Sequence, residues 1–420
     1  MRSRPVPTSV ALVCLVSLTG CGIIPGTGSD ETTVKIWLMK DSASDDFLER
    51  FTKQYEKENP SVDLKVEFQE WTGIGAKVNA ALEGKDTPDI IEVGNTQVAQ
   101  YAESDGLTNL TVEATRDLGQ EDWLPGLAQP GNIGGAQYGI PWYAANRVVI
   151  YNKKIFQEAG IRALPKNQEE WIDITKRLNA NGNQGIYLPG QDWYTLAGFV
   201  WEEGGELAVE RSGTWDGALH SKAAVKGMKF YKELQALGAG PVAGDERTPL
   251  QTGVFAKGNV AQLIDTPGAT AAILKANPAL KKEDLGYFPI PGKQTGKPGA
   301  VFTGGSDLIV PEQADNRAAA VEVVKALAGE KWQIELARAM NYVPNKKGLA
   351  GQVSGESNKA MAQGAGARGS KATPNSPRWA NVELKNPIKP YMTAVLKGGD
   401  PEAEAQKASA AITKILASTL

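Results

Sequence analysis

The fold is decided by residues 87–97, which read T-P-D-I-I-E-V-G-N-T-Q. Its apolar run is short and lies between a proline and a glycine, which predicts a buried strand over residues 89–93. A helix is expected directly after it, over residues 96–104, and Gly106 ends that helix. A strand that passes straight into a helix is half of a β-α-β unit.

The chain before this stretch repeats the same pattern. Alternating or apolar segments predict strands over residues 33–39 and 62–68. Apolar residues at helical spacing predict helices over residues 45–59 and 74–83, the second of which Gly84 ends. The order β-α-β-α-β therefore predicts a parallel sheet with right-handed crossovers.

The pattern resumes after Pro141 and continues to the C-terminus. Low-complexity residues 363–378 predict a long surface loop. Further strands are predicted over residues 148–151, 185–188, 260–264, 284–289 and 306–310. Further helices are predicted over residues 153–159, 165–181, 195–203, 221–237, 315–328 and 331–340.

Polar and aromatic side chains follow the predicted strand ends. They are Lys40-Asp41-Ser42, Gln69-Glu70-Trp71, Gly94-Asn95-Thr96-Gln97 and Thr303-Gly304-Gly305-Ser306. Ligands of open α/β sheets bind at this edge. A set of amides and hydroxyls around an indole suits a neutral, hydroxyl-rich ligand. Two alternatives stay open, because Trp71 can instead cap the sheet and Asn95 can instead cap the following helix.

Enzymatic chemistry finds little support in the residues. His220 is the only histidine, and no nucleophile elbow, phosphate-binding loop or dinucleotide motif is present. We therefore expect no catalysis, no cofactor and no metal. A glycoside hydrolase needs only two carboxylates and stays open as an alternative, with Glu202, Glu203 and Glu206 as candidates.

The N-terminus predicts export. Two arginines precede a mostly apolar run at residues 10–18, which is about half of the ~20 residues that span a membrane. This layout predicts a secretory signal over residues 1–20. The L-T-G-C sequence at residues 18–21 resembles a bacterial lipobox, which implies a lipid on Cys21. Residues 21–33 then form a flexible tether. An ordinary secreted protein with a cysteine at the cleavage site is the alternative.

Charge and cysteine content limit the partners. Lys and Arg number 45 and Asp and Glu 48, so the net charge is −3, and removal of the two signal arginines gives −3 − 2 = −5. This mild acidity does not favour nucleic acid or anionic lipid surfaces. Cys14 lies in the signal and Cys21 is the lipid candidate, so we expect no disulfide. Ten tryptophans favour a flat, amphipathic ligand.

Four motifs resemble the extracellular sugar-binding proteins of bacterial ABC importers, the maltose-binding-protein-like solute-binding protein family 1. They are residues 87–97, I-P-W-Y-A-A-N-R-V-V-I-Y-N-K at 140–153, G-G-S-D-L-I-V-P at 304–311 and Y-V-P-N-K-K at 342–347. Q-E-W at 69–71 and P-N-S-P-R-W-A-N-V-E at 374–383 are most similar to the branch that binds chito-oligosaccharides such as diacetylchitobiose.

The resemblance implies an α/β, periplasmic-binding-protein-like class II fold, with a ligand cleft between two α/β lobes joined by a hinge. Lobe 1 would comprise residues 34–141 plus about 302–353, and lobe 2 about 142–301 plus about 354–420. Trp142-Tyr143 and Phe302-Thr303 would be two of the crossings.

The resemblance also implies the ligand-binding residues. They are Trp71, Asn95, Gln97, Tyr143, Trp193, Gly304, Gly305, Ser306 and Trp379. The chain departs from the family at residues 265–268, where many relatives carry G-P-W and this sequence has no aromatic residue. Trp193, Trp201 and Trp215 are the candidates to replace that indole, so the number of sugar subsites stays open.

The expected function is that of a monomeric receptor, lipid-anchored on the outer face of the cell membrane. It would capture an oligosaccharide and deliver it to the permease subunits of an ABC transporter. A surface-anchored glycoside hydrolase is one alternative. A receptor of the same fold for a polyol, another disaccharide or a glycerophosphodiester is the other.

Overall fold

A computed structural model describes residues 31–84 and 86–418. The predicted signal and Cys21 lie outside the described residues. Within them the strands are β1 Thr32–Met39, β2 Val62–Gln69, β3 Ile90–Gly94, β4 Asn132–Ile133, β5 Ala136–Gln137, β6 Gly139–Ala144, β7 Val148–Asn152, β8 Ala208–Arg211, β9 Thr214–Gly217, β10 Gln262–Asp265, β11 Leu285–Phe288 and β12 Gly305–Ile309.

The helices of the described residues alternate with these strands. They are α1 Asp45–Glu58, α2 Ile74–Glu83, α3 Val98–Glu103, α4 Thr111–Arg116, α5 Pro125–Gly131, α6 Lys153–Glu158, α7 Gln168–Leu178, α8 Trp193–Glu202, α9 Lys222–Gln235, α10 Gln251–Phe255, α11 Ala269–Ala276, α12 Arg317–Leu327, α13 Glu330–Met340, α14 Glu356–Ala365, α15 Trp379–Lys385, α16 Ile388–Leu396 and α17 Pro401–Leu416.

The first sheet has the strand order β2-β1-β3-β12-β6. Strands β2 and β3 both pair with β1 in parallel, so the predicted parallel β-α-β-α-β unit is confirmed. Strand β12 is antiparallel to β3 and β6, and therefore places its first residues beside the carboxyl ends of the other strands. Helix α1 contributes the buried rings of Phe47 and Phe51 to the core of this lobe. Their ring centroids lie 5.8 and 5.0 Å from that of Trp332.

The second sheet is smaller and lies in the other lobe. Its order is β10-β7-β11, and both neighbours pair with β7 in antiparallel register. Helices α8 and α9 pack against each other and enclose the largest apolar core, in which Trp171, Phe199 and Tyr231 are almost completely buried. Residues 185–188, predicted as a strand, form only isolated bridges, so that prediction was wrong.

Three passages of chain join the lobes. The first leads from β6 to β7, where Ala145 N donates to Gly304 O at 2.9 Å. The second runs through Phe302 and Thr303 into β12. At the third, Val343 N and Ala144 N each donate to the other residue's carbonyl oxygen, at 2.9 and 3.0 Å. These bonds hold the passages side by side and define a common hinge.

Residues 363–378 are not the surface loop that their composition predicts. Helix α14 includes the first of them, and Ser370, Thr373 and Ser376 are buried. Thr303 N donates to Lys371 O at 2.9 Å, which fixes the segment against the second passage. Small side chains pack closely between two lobes, so a composition typical of loops here belongs to an interface. Among the described helices, none is both long enough and apolar enough to cross a bilayer.

Candidate functional site

Two of the predicted ligand-binding residues, Trp71 and Gln97, meet beside Gly94 at the carboxyl end of the first sheet. The indole of Trp71 is 43% exposed. A Cβ placed on Gly94 would lie 3.5 Å from Gln97 Oε1 and 3.8 Å from Trp71 Cζ3, so these side chains flank one glycine. The structure therefore brings an accessible indole and a half-buried amide together at the strand ends, which we call the strand-edge cleft.

Asn95 lies beside this group but faces the hinge. Its side chain is 2% exposed, and its Nδ2 donates to Thr303 O at 3.1 Å. The amide thus ties the end of β3 to the second passage between the lobes. In the helix that begins here, Asn95 is a buried anchor.

Tyr143 is buried, in contrast to the expectation that it faces the cleft. Its hydroxyl donates to Glu92 Oε1 at 3.2 Å and accepts from Ser306 Oγ at 3.0 Å. Its ring is covered by Tyr342, with 4.0 Å between centroids and 7° between planes. Tyr342 is half-buried and its hydroxyl donates to Asp41 O at 3.5 Å. The aromatic ring at the cleft surface is therefore that of Tyr342.

Glu92 supports this pair of tyrosines from below. It is completely buried, and Met39 N donates to Glu92 Oε2 at 2.7 Å. Burial raises the pKa of Glu92 from 4.5 to about 7, although the hydrogen bonds from Ser306, Met39, Ser42 and Tyr143 oppose the rise. The carboxyl group is a positioning element of the first lobe.

The glycine turn at residues 304–306 is shaped by close packing. A Cβ on Gly305 would overlap the carbonyl oxygen of Tyr143, and one on Gly304 would lie 2.7 Å from the Phe302 ring. Ser306 is 1% exposed. The absence of side chains at Gly304 and Gly305 allows β12 to pack against β6 and the ring of Phe302 to lie over the hinge.

The second lobe contributes Tyr194, which was not predicted. The ring is half-buried and stacks on Phe302, with 4.5 Å between centroids and 25° between planes. Its other neighbours are Trp193, whose centroid is 4.0 Å away, and the guanidinium of Arg147 at 5.0 Å. Trp193 itself is 5% exposed, so it supports Tyr194 from the core.

Arg147 links Tyr194 to a buried group of charges. Its Nη2 donates to Glu246 Oε1 at 2.6 Å, and its Nε lies 3.5 Å from Oδ1 of the buried Asp192. Burial lowers the pKa of Arg147, but the carboxylates of Asp192, Glu246 and Asp265 together raise it above its usual value. The guanidinium is therefore charged and fixed in place.

Trp379 is completely buried in this arrangement of the lobes. Its Nε1 donates to Glu383 Oε1 at 3.1 Å, and Glu383 Oε2 accepts from Thr96 Oγ1 at 3.5 Å. Burial raises the pKa of Glu383 to about 7, and the bonds from Trp379 and Thr96 oppose the rise. Helix α15 thus closes against the first lobe through Glu383, and the indole of Trp379 has no free face.

Tyr194, Tyr342, Phe302 and Glu383 were missed as site residues. Tyr194 follows Trp193 directly, and Tyr342 opens a motif already singled out at residues 342–347. Exposure within a pair of adjacent aromatic residues depends on the tertiary packing, so the sequence offered no means of choosing between neighbours.

Comparison with known proteins identifies the chain. The family model described as bacterial extracellular solute-binding protein matches residues 40–334. The chain belongs to this family. This solute-binding protein is 36% identical over 416 residues to the diacetylchitobiose binding protein DasA of Streptomyces coelicolor. The aligned region covers 96% of each chain. The resemblance found in the motifs is therefore confirmed.

Solved structures share the fold. The sugar-binding protein MalE from Xanthomonas citri superposes with a TM-score of 0.81 at 21% identity, over 92% of this chain and 98% of MalE. The GacH receptor of Streptomyces glaucescens, solved without ligand and with acarbose, gives a TM-score of 0.73 at 23% identity, over 92% and 98%. The solute-binding protein thus has the expected class II fold of two α/β lobes.

Proposed function

We propose that this solute-binding protein captures an oligosaccharide between its lobes and delivers it unchanged to the permease of an ABC importer. N,N′-diacetylchitobiose or a related chito-oligosaccharide is the proposed ligand. The observation that carries the proposal is 36% identity to DasA along 96% of both chains.

The strand-edge cleft supplies the groups that such a ligand needs. Trp71 offers a flat apolar surface, and Tyr342 and Tyr194 offer further rings from the hinge and from lobe 2. Sugar rings bury their C–H faces on such surfaces, while amides bind hydroxyl and acetamide groups. We assign Gln97 to that polar contact, and Asn95 and residues 304–306 to the positioning of the cleft.

Trp193 and Trp379 take supporting roles in this proposal. Both indoles are buried, with exposures of 5% and 0%. Trp193 packs under Tyr194, and Trp379 holds Glu383 toward Thr96. We propose that Glu383, rather than the indole beside it, faces the ligand space when the lobes separate.

The proposal includes no chemical reaction. The three candidate carboxylates of a hydrolase have structural partners: Glu202 accepts from Lys293 N and Ala300 N, at 2.8 and 3.0 Å. Glu203 pairs with Lys293 Nζ at 2.8 Å, and Glu206 with Lys371 Nζ at 2.6 Å. A glycosidase needs one free acid and one free base or nucleophile across a bond. These carboxylates do not supply such a pair.

Calorimetric titration with a sugar panel tests the proposal. The panel contains N,N′-diacetylchitobiose, N,N′,N″-triacetylchitotriose, maltose and erythritol. We expect saturable binding of a chito-oligosaccharide and recovery of intact sugar by mass spectrometry after incubation. Shortened products would replace the receptor by a hydrolase, and binding of erythritol alone would replace the ligand class.

Lipid anchoring through Cys21 is a separate part of the proposal. Two or more acyl chains give stable membrane attachment, whereas one chain gives only marginal binding. We expect the wild-type protein in the membrane fraction of its host and the Cys21→Ser variant in the medium. Equal membrane retention of both proteins would contradict a lipid on Cys21.

A further inference from the structure

A second cavity lies between the lobes, apart from the strand-edge cleft. Its volume is about 1180 Å³, and none of Trp71, Gln97, Tyr194 or Tyr342 lines it. Helix α5 and the β4-β5 hairpin form the wall on lobe 1, and the β8-β9 hairpin with residues 371–378 forms the wall on lobe 2. Typical ligand pockets measure roughly 300–1,000 Å³. We call this space the lateral cavity.

Three indoles contribute to its walls. Trp215 is half-buried on β9, while Trp201 and Trp123 are buried beneath the surface. Two tryptophans that the sequence left as candidates for a missing sugar-stacking surface therefore lie here and not at the strand edge. Trp215 is the indole with an accessible face, because it is half-buried whereas Trp201 and Trp123 are buried.

Buried polar atoms of the lining residues lack partners. Trp123 is 2% exposed and Thr373 7%, and neither Trp123 Nε1 nor Thr373 Oγ1 has a hydrogen-bond partner among the described residues. Buried polar groups without a partner are costly and uncommon in native proteins. Neither atom is accessible from the cavity, so both lie beneath its wall, and the class of ligand is inferred from the accessible lining groups instead.

Four of the five charged side chains that line the lateral cavity form two ion pairs, and Glu210 is the fifth. Glu206 Oε1 is 2.6 Å from Lys371 Nζ, and Glu103 Oε1 is 3.4 Å from Arg378 Nη1. The lining thus contains no cluster of unpaired charges of the same sign that would select an ionic ligand. Amide side chains of Gln129, Asn132 and Asn375 complete it, as suits a neutral polyhydroxylated molecule.

The lateral cavity depends on the relative position of the lobes. Asn375 Nδ2 donates to Gln129 O and to Asn132 O, each at 3.0 Å, and so joins a lobe 2 segment to the end of α5. Helix α15 meets the turn at residues 95–97, and separates the lateral cavity from the strand ends. A molecule that contacts both walls favours the lobe arrangement in which both are present.

We propose that the lateral cavity is a second binding site for a neutral oligosaccharide, with Trp215 as its stacking surface. The inference does not require that the strand-edge cleft binds sugar. Because both sites are formed by both lobes, any effect of an occupied site on the affinity of the other must be reciprocal.

Calorimetric titration of the intact protein with N,N′,N″,N‴-tetraacetylchitotetraose and maltotetraose tests the second site. We expect two saturable binding events for at least one of these sugars. Trp215→Ala should weaken one event roughly tenfold or more and leave the other within about threefold. Trp71→Ala should weaken only the other event, so failure of the strand-edge proposal and failure of this one give different patterns.

A second variant separates binding from folding, because Trp215 also packs against the lobe 2 core. Gln129 is exposed and only its backbone oxygen holds Asn375, so Gln129→Ala removes a lining amide without loss of the lobe contact. We expect Gln129→Ala to weaken the same event as Trp215→Ala, with an unchanged melting temperature without sugar. A single event that neither variant alters, or no event at all with both sugars, would overturn the second site.

Discussion

Replacement of Trp71 by alanine tests the stacking surface of the strand-edge cleft. The side chain is 43% exposed, and a tryptophan presents about 250 Å² at most. About 100 Å² therefore stays available for a ligand, which at ~25 cal/mol per Å² corresponds to about 2.5 kcal/mol if all of it is covered. A sugar that covers one half gains about 1.3 kcal/mol. We expect Trp71→Ala to raise the Kd of the strand-edge event between roughly tenfold and 70-fold.

Titration calorimetry with N,N′-diacetylchitobiose measures this change. Phe68 provides a matched control, because it is an aromatic side chain of similar exposure, 49%, within strand β2. Phe68→Ala should leave the Kd unchanged, and both variants should melt close to wild type without sugar, since exposed side chains contribute little to folding. A Kd for Trp71→Ala within twofold of wild type would refute the assignment of Trp71 to the ligand.

Three further predictions concern the supports of the cleft. Because burial raises the pKa of Glu92 from 4.5 to about 7, the contribution of its proton to stability is complete below pH 4.5 and is lost as the pH rises through 7. It amounts to at most about 3 kcal/mol. Glu92→Gln should remove the fall in stability that urea unfolding curves show between about pH 4.5 and 7. Glu49→Gln, at an exposed position of α1, should keep it. Equal slopes in all three proteins would contradict the buried carboxyl. Gly305→Ala should lower the unfolding free energy by about 1–3 kcal/mol, since the added methyl overlaps Tyr143 O, and an unchanged denaturation midpoint would show that β12 and β6 do not pack as described. Arg147→Ala should cost about 3–5 kcal/mol in the same assay, because it leaves Asp192 buried without its partner, and Arg147→Lys should restore part of that loss; no loss in Arg147→Ala would place Asp192 outside the ion pair.

The first sheet could be read from the sequence because its signals are local. The strand at residues 87–97 lies between a proline and a glycine, and the helices before it have apolar residues at regular spacing. Helix α2 was predicted over the residues that the structure assigns to it, Ile74–Glu83. The convergence of Trp71, Gly94 and Gln97 follows from the parallel order of the strands, which the pattern predicts without any distant contact.

The other half of the site depends on contacts between distant segments. Whether Tyr143 or Tyr342 faces the cleft is decided by the third passage, which lays residue 342 over residue 143. Likewise, the burial of Trp379 follows from the approach of α15 to the turn at residues 95–97. Residues 363–378 have loop-like composition, yet they are packed between the lobes. None of these contacts between distant segments produces a periodic pattern of residues in the sequence.

We propose that the two lobes clamp a chito-oligosaccharide and release it unaltered. Small-angle X-ray scattering of the protein, with and without saturating N,N′-diacetylchitobiose, measures this closure in solution. We expect a smaller radius of gyration with sugar than without it, and a return to the larger value when the intact sugar is dialysed away. An identical scattering curve at sugar concentrations up to the millimolar range, for this and the longer chito-oligosaccharides, would contradict it.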